Sequence, residues 1–151
     1  MDRLLDETRS GTSHMRNAAV AGMIVDAIEY DANVPGHYAL HAFVVMPNHV
    51  HLLATPTVAL AKLTKSLKGI TGRRANAMLG LTGRPFWQEE SYDHLVRDDQ
   101  EFEKIQSYVV ENPVRAGLVR DACDYRWSSA GWATWGSPAD QGVRPTTGQD
   151  L

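Results

Sequence analysis

His49 and His51 stand one residue apart in the stretch Val44-Val45-Met46-Pro47-Asn48-His49-Val50-His51-Leu52-Leu53. Side chains alternate faces along a strand, so on a strand both imidazoles point the same way. Two neutral nitrogens on one rigid face can grip a single divalent ion and leave its other positions open. That suits an ion that polarises a substrate oxygen, not a closed structural site. Spacing alone is as often that of packed or surface histidines. A histidine-triad nucleotide hydrolase would want a third alternating histidine at position 53, and that residue is Leu53. Further along the chain, Tyr108 and Asn112 lie four residues apart, so on a helix they project from one flank.

The surrounding patterns say which elements must hold these groups. Residues 38–46 and 49–54 are apolar runs of strand length, joined at Pro47-Asn48. Pro47 suits a type I or II turn and not the primed hairpin turns, which allows a loop longer than two residues. Before them, residues 16–29 read as a helix with Ala18, Ala19, Ala21, Met23, Ile24, Ala27 and Ile28 toward a core. After them, residues 57–79 read as a second helix, capped by Thr57, with Leu60, Leu63, Leu67 and Ile70 as its apolar stripe. Gly69 and Gly72 mark where it could bend or break. Phe86 and Trp87 open an aromatic segment that either stacks on unpaired bases or anchors the core. A short strand follows at 91–97, carrying Tyr92, with His94 and His41 read as structural. Asp98 or Asp99 caps a helix over 100–112, ended by Pro113 and buried through Phe102, Ile105 and Val109. Residues 1–136 form one domain, and 137–151, rich in Gly, Pro, Thr and Asp, form a flexible tail.

Composition narrows the class. With 43% hydrophobic and 22% charged residues, the chain is of the soluble globular type. No apolar run approaches the roughly 18 residues that span a bilayer. The opening Met1-Asp2-Arg3-Leu4-Leu5-Asp6 has no signal-peptide core, and a single cysteine excludes an internal disulfide, so the cytoplasm is the expected compartment. The net charge of −3 gives no global sign of nucleic-acid binding. Its distribution does: between Thr57 and Gln88 stand Lys62, Lys65, Lys68, Arg73, Arg74 and Arg84, with no acid among them. Lys62, Lys65, Lys68 and Arg73 fall opposite the apolar stripe of their helix. This is either a solvated face or a phosphate-facing surface.

Several motifs occur together in order: Pro47-Asn48-His49-Val50-His51, the basic helix, Phe86-Trp87-Gln88, Tyr92-Asp93-His94-Leu95-Val96-Arg97, Tyr108 through Val119 with its Asn112-Pro113-Val114-Arg115-Ala116-Gly117 core, and Tyr125-Arg126-Trp127-Ser128-Ser129-Ala130. Over roughly residues 39–130 the chain resembles the single-tyrosine HUH transposases, in particular the REP-associated tyrosine transposases. The resemblance implies an α+β, ferredoxin-like HUH fold, an antiparallel sheet with helices packed on one face. It implies a DNA strand transferase acting on single-stranded or hairpin DNA through a 5′-phosphotyrosine intermediate. His49, His51 and Asn112 would hold Mg²⁺ or Mn²⁺, and Tyr108 would be the nucleophile. Arg115 would join Lys62, Lys65, Lys68, Arg73 and Arg74 in DNA binding, in a monomer or a homodimer. A phenol is a poor nucleophile at neutral pH, so a metal-polarised phosphate fits the chemistry.

One departure stands out. The family begins with a strand upstream of the first helix that lies inside the sheet. Here Met1-Asp2-Arg3-Leu4-Leu5 is close to where that strand would already have ended, so a sheet lacking its first strand is expected as an open alternative. Two other functions compete with the transposase reading: a DNA-binding relative without catalysis and, third, an unrelated metal-binding regulator.

Overall fold

The computed structural model describes residues 3–7, 13–87 and 91–131, with the backbone alone at 3–7 and 91–94. The residues flanking Pro47-Asn48 form a hairpin of β2 (Tyr38–Val45) and β3 (Val50–Pro56), with Val45 opposite Val50 and Val44 opposite His51. Four residues separate the strands, and the Met46 N–H donates to the His49 carbonyl at 2.7 Å, which keeps the loop tight. The Met15 N–H also donates to the Pro47 carbonyl at 3.0 Å, tying the hairpin tip to the turn before the first helix.

The first strand is present. β1 (Arg3–Glu7) pairs antiparallel with β3 on one side and with β4 (Ser91–Leu95) on the other, giving a four-stranded sheet in the order β2-β3-β1-β4. The expectation of a missing strand is therefore corrected, and β3 is flanked on both sides. The cause of the misreading is physical. Five residues with Leu4 and Leu5 adjacent show no alternation, and a strand laid between two others needs none.

The helices lie on both faces of the sheet, not on one. α1 (Ala18–Asn33) and α2 (Leu60–Leu79) pack on the face carrying Phe43, Val45, Val50, Leu52 and Ala54. α3 (Asp99–Arg115) packs on the other, where Ala42, Val44, Met46 and Leu53 meet Val109, with Phe102 and Ile105 alongside. A sheet apolar on both faces needs both covered. The uninterrupted apolar runs of β2 and β3 carry that information. A register shift between Leu40 and Ala42 reverses the parity of β2, so Tyr38 and Phe43 share a face although they are five residues apart.

Local chemistry sets the ends of the helices. The Asn17 side chain accepts from the Ala19 and Val20 N–H groups at the start of α1. α3 starts with a reciprocal cap: Asp98 accepts from the Glu101 N–H, and Glu101 accepts from the Arg97 N–H. Thr57 does not cap α2; its hydroxyl donates to the Gly36 carbonyl, and Ala59 precedes the helix without a side-chain cap. Gly69 and Gly72 do not break α2, which runs unbroken to a left-handed Gly80. Gly72 instead leaves room for Trp87, whose indole N–H donates to the Thr71 hydroxyl at 2.9 Å. Phe86 is buried, so this aromatic pair anchors the core.

Pro113 lies inside α3, two residues before its end, correcting the expected stop at Asn112. A proline so near the C-terminus removes only one of the last helical N–H bonds, and the final turn still forms. Past α3, residues 125–131 cover the outer edge of β2. Val45 donates to the Trp127 carbonyl, Phe43 donates to Ser129 Oγ at 3.0 Å, and the Tyr125 hydroxyl donates to the Val45 carbonyl at 2.7 Å. The expected flexible tail at 137–151 lies outside the described residues. Among them no helix is long and apolar enough to cross a membrane.

Candidate active site

β3 and α3 bring together residues more than fifty positions apart. Val50, Leu52 and Ala54 point into the core under α1 and α2, so period two sends His51 and Leu53 to the α3 face. Leu53 is buried beside Val44 and Val109, which leaves the histidines toward the hairpin end of the strand. The His49 and His51 rings are 4.8 Å apart between centroids and nearly perpendicular, at 78°. His51 meets Tyr108 of α3 edge to face, with centroids 5.5 Å apart and planes at 67°. His51 is only 4% exposed and Tyr108 is 45% exposed, so a buried imidazole stands behind a phenol that solvent can reach.

Two neighbours orient this group. His49 Nδ1 lies 2.8 Å from Asn48 Oδ1, an oxygen that can only accept. The Nδ1 proton is thereby fixed, and Nε2 becomes the lone-pair nitrogen of the neutral ring. Arg115 lies over the Tyr108 ring, its guanidinium carbon 4.6 Å from the centroid, and its Nη2 donates to the Tyr108 carbonyl at 2.6 Å. Neither role was read from spacing. Asn48 looked like a turn residue, and Arg115 is placed two turns from Tyr108 only because α3 continues through Pro113.

Of the sequence candidates, His49, His51, Tyr108 and Arg115 are gathered at one place. Asn112 is half-buried on α3, one turn beyond Tyr108 and on its flank. Lys62, Lys65, Lys68, Arg73 and Arg74 are on α2, which packs on the opposite face of the sheet. Tyr92 is on β4, in register with Asp6, which is in register with His51. Its backbone is thus two strands, on the order of 10 Å, from His51. The side chains of Tyr92 and His94 lie outside the described residues. His41 pairs with the Thr55 hydroxyl at 2.6 Å and packs on Phe102, a structural role.

The donor set suits a divalent ion. Two imidazoles converge, one with its tautomer fixed by Asn48, and Asn112 offers a neutral amide oxygen of a kind Mg²⁺ accepts. Among the described residues no group of three or more His, Cys, Asp or Glu side chains forms a cation cage. An ion held by His49, His51 and Asn112 would leave several positions open to water or substrate. An open groove of about 580 Å³ runs along α3 past Tyr108, lined by Gln100, Glu103, Lys104, Ser107, Glu111 and Arg115.

Comparison with known proteins places this arrangement. The family described as "Transposase IS200 like" matches residues 25–112, more than half of the chain and a span that includes His49, His51, Tyr108 and Asn112. The REP-associated tyrosine transposase of Escherichia coli K12 is 25% identical over 92 residues, which cover 61% of this chain and 54% of that protein. The match thus spans about half the length of that relative. Among solved structures, a REP-associated tyrosine transposase bound to a REP hairpin superposes with a TM-score of 0.62 at 18% identity, covering 95% of this chain and 81% of that one. A candidate transposase from Deinococcus radiodurans R1 gives 0.53 at 25% identity, over 74% and 89% of the two chains. The chain belongs to the IS200-like transposase family and is a relative of its REP-associated tyrosine transposases.

Proposed function

We propose that this transposase nicks and rejoins single-stranded or hairpin DNA, with Tyr108 as nucleophile. The observation that carries the reading is that His51 of β3 meets Tyr108 of α3 at ring-contact distance, with His49, just before β3, against His51. Mg²⁺ or Mn²⁺ held by His49, His51 and Asn112 would polarise a non-bridging phosphate oxygen. Tyr108 Oη forms a bond to phosphorus as the bond to the 3′ oxygen of the preceding nucleotide breaks. The phenolic proton is given up, and the departing oxygen takes up a proton to become a free 3′-hydroxyl. The other product is DNA joined through its 5′ phosphate to the tyrosine. A second 3′-hydroxyl attacking that phosphotyrosine reverses the step and joins new ends. One phosphodiester replaces another, so no outside energy source is needed.

Positioning supplies much of the catalysis in such a scheme, because it turns an encounter into an intramolecular attack. Placing Tyr108 and Asn112 at i and i+4 ties the attacking oxygen to a metal ligand through one rigid turn. Lys62, Lys65, Lys68, Arg73 and Arg74 would hold backbone phosphates on the far face of the sheet. A substrate with both a stem and an unpaired flank would touch both faces. That separation also favours a second reading, a DNA-binding relative that keeps the basic helix without the chemistry.

The two readings part in one assay. Purified protein is incubated with Mn²⁺ and hairpin-bearing single-stranded DNA, and the products are resolved under denaturing conditions. A covalent protein–DNA adduct that disappears in Tyr108→Phe and persists in Tyr92→Phe is the expected result. Tight binding with no adduct in the unaltered protein would favour the non-catalytic module.

A further inference from the structure

Arg115 invites a different reading from a DNA contact. An exposed arginine on a helix has an inexpensive partner in a glutamate four residues before it, and Glu111 stands there. Arg115 forms no ion pair with it. Among the described residues, its guanidinium is committed to one residue, covering the Tyr108 ring and bonding the Tyr108 carbonyl. The planar fork makes both contacts possible at once, with its carbon over the ring and an N–H reaching the carbonyl. The same ring also meets His51, with centroids 5.5 Å apart. Tyr108 is therefore in contact with both a buried imidazole of β3 and a cation from its own helix, although nearly half of it is exposed.

We propose that Arg115 is a positioning residue for Tyr108, clamping the ring in the orientation it takes against His51; as a statement about catalysis this rests on Tyr108 being the nucleophile. An exposed tyrosine samples several rotamers, and only one of them can attack in line. A clamp that removes the others raises the rate of the chemical step and leaves DNA affinity nearly untouched. A phosphate contact would do the reverse, and a lysine would largely replace it, since a phosphate needs charge more than planarity.

The test uses Arg115→Lys and Arg115→Ala in the full chain, with hairpin-bearing single-stranded DNA and Mn²⁺. Dissociation constants and single-turnover rates of adduct formation at saturating DNA are measured separately. Both variants are expected to bind within a few-fold of the unaltered protein and to form the adduct on the order of 10- to 100-fold more slowly, with no rescue by lysine. Lysine restoring the rate, or alanine losing affinity in proportion to rate, would overturn the clamp. A second measurement does not depend on activity: NMR with ring-labelled tyrosine, following cross-relaxation between Tyr108 and His51. Those contacts are expected to weaken in Arg115→Lys, and unchanged contacts would refute the proposal. If the unaltered protein forms no adduct, the nucleophile reading fails alone, and the NMR result still decides whether Arg115 holds the ring.

Discussion

A neutral imidazole has one donor and one acceptor nitrogen, and at His49 the carbonyl oxygen of Asn48 selects which is which. Removing that acceptor takes away the bond that holds the Nδ1 proton, which opposes metal binding at Nε2. Asn48→Ala is therefore expected to weaken Mn²⁺ affinity on the order of tenfold, as loss of a group behind a metal-binding histidine commonly does. Asn48→Asp keeps the acceptor and should bind Mn²⁺ at least as well as the unaltered protein. Titration calorimetry on the DNA-free protein distinguishes the two, and equal affinity in Asn48→Ala would remove the role. At this scale the sequence was partly legible. Period two put His49 and His51 on one face, and an i, i+4 spacing put Tyr108 with Asn112. No spacing could show that α3 docks on the histidine face, because that depends on which side of β2 and β3 each helix covers. The resemblance to tyrosine transposases supplied the link between Tyr108 and the histidines, and the fold brings them together.

The segment at 125–131 shows how an element far along the chain steadies the strand beside the site. β2 is an edge strand, and Tyr125, Trp127 and Ser129 occupy hydrogen-bonding groups that it would otherwise present to solvent. The Tyr125 hydroxyl donates to Val45, one residue from the position opposite His51. Burial pushes the Tyr125 phenol from 10.0 up to about 12. The sign follows from linkage: the folded chain holds this proton more tightly than the unfolded chain. Its contribution is present in full below pH 10 and is lost as pH rises from about 10 to about 12. Denaturant unfolding at a series of pH values should show that decline, and Tyr125→Phe should flatten it. At neutral pH the phenylalanine variant loses one hydrogen bond and leaves a carbonyl under-satisfied, a cost of about 1–2 kcal/mol. A slope through pH 10–12 that survives in Tyr125→Phe would assign the titration to another group. Most elements were readable from period and capping, Asp98 among them. The errors fell where local signals conflict with context: Pro113 reads as a stop but sits where little helix remains to break, and β1 is too short to show a pattern.

Across the whole molecule, the sheet separates two surfaces. α3 carries Tyr108 on one face, and α2 carries Lys62, Lys65, Lys68, Arg73 and Arg74 on the other, with Leu63 and Leu67 turned into the core. Charge distribution in the sequence showed the basic face, but only the two-sided fold shows that it lies across the sheet from Tyr108 and His51. Binding and strand transfer should therefore be separable by mutation. Changing Lys62, Lys65 and Lys68 together to Ala removes three cations and keeps good helix formers, so α2 should persist. If each lysine neutralises one phosphate, affinity for hairpin DNA should fall, and the slope of log affinity against log salt should shrink by about 2 to 3. Adduct formation from the saturated complex should proceed at nearly the unaltered rate, since no residue near His51 and Tyr108 has changed. Binding measured at several salt concentrations, together with single-turnover rates at saturation, tests both halves. Unchanged affinity and slope would make α2 an ordinary solvated face. A large loss of rate at saturation would mean that DNA held on α2 must be threaded around the sheet edge to align its phosphate with Tyr108.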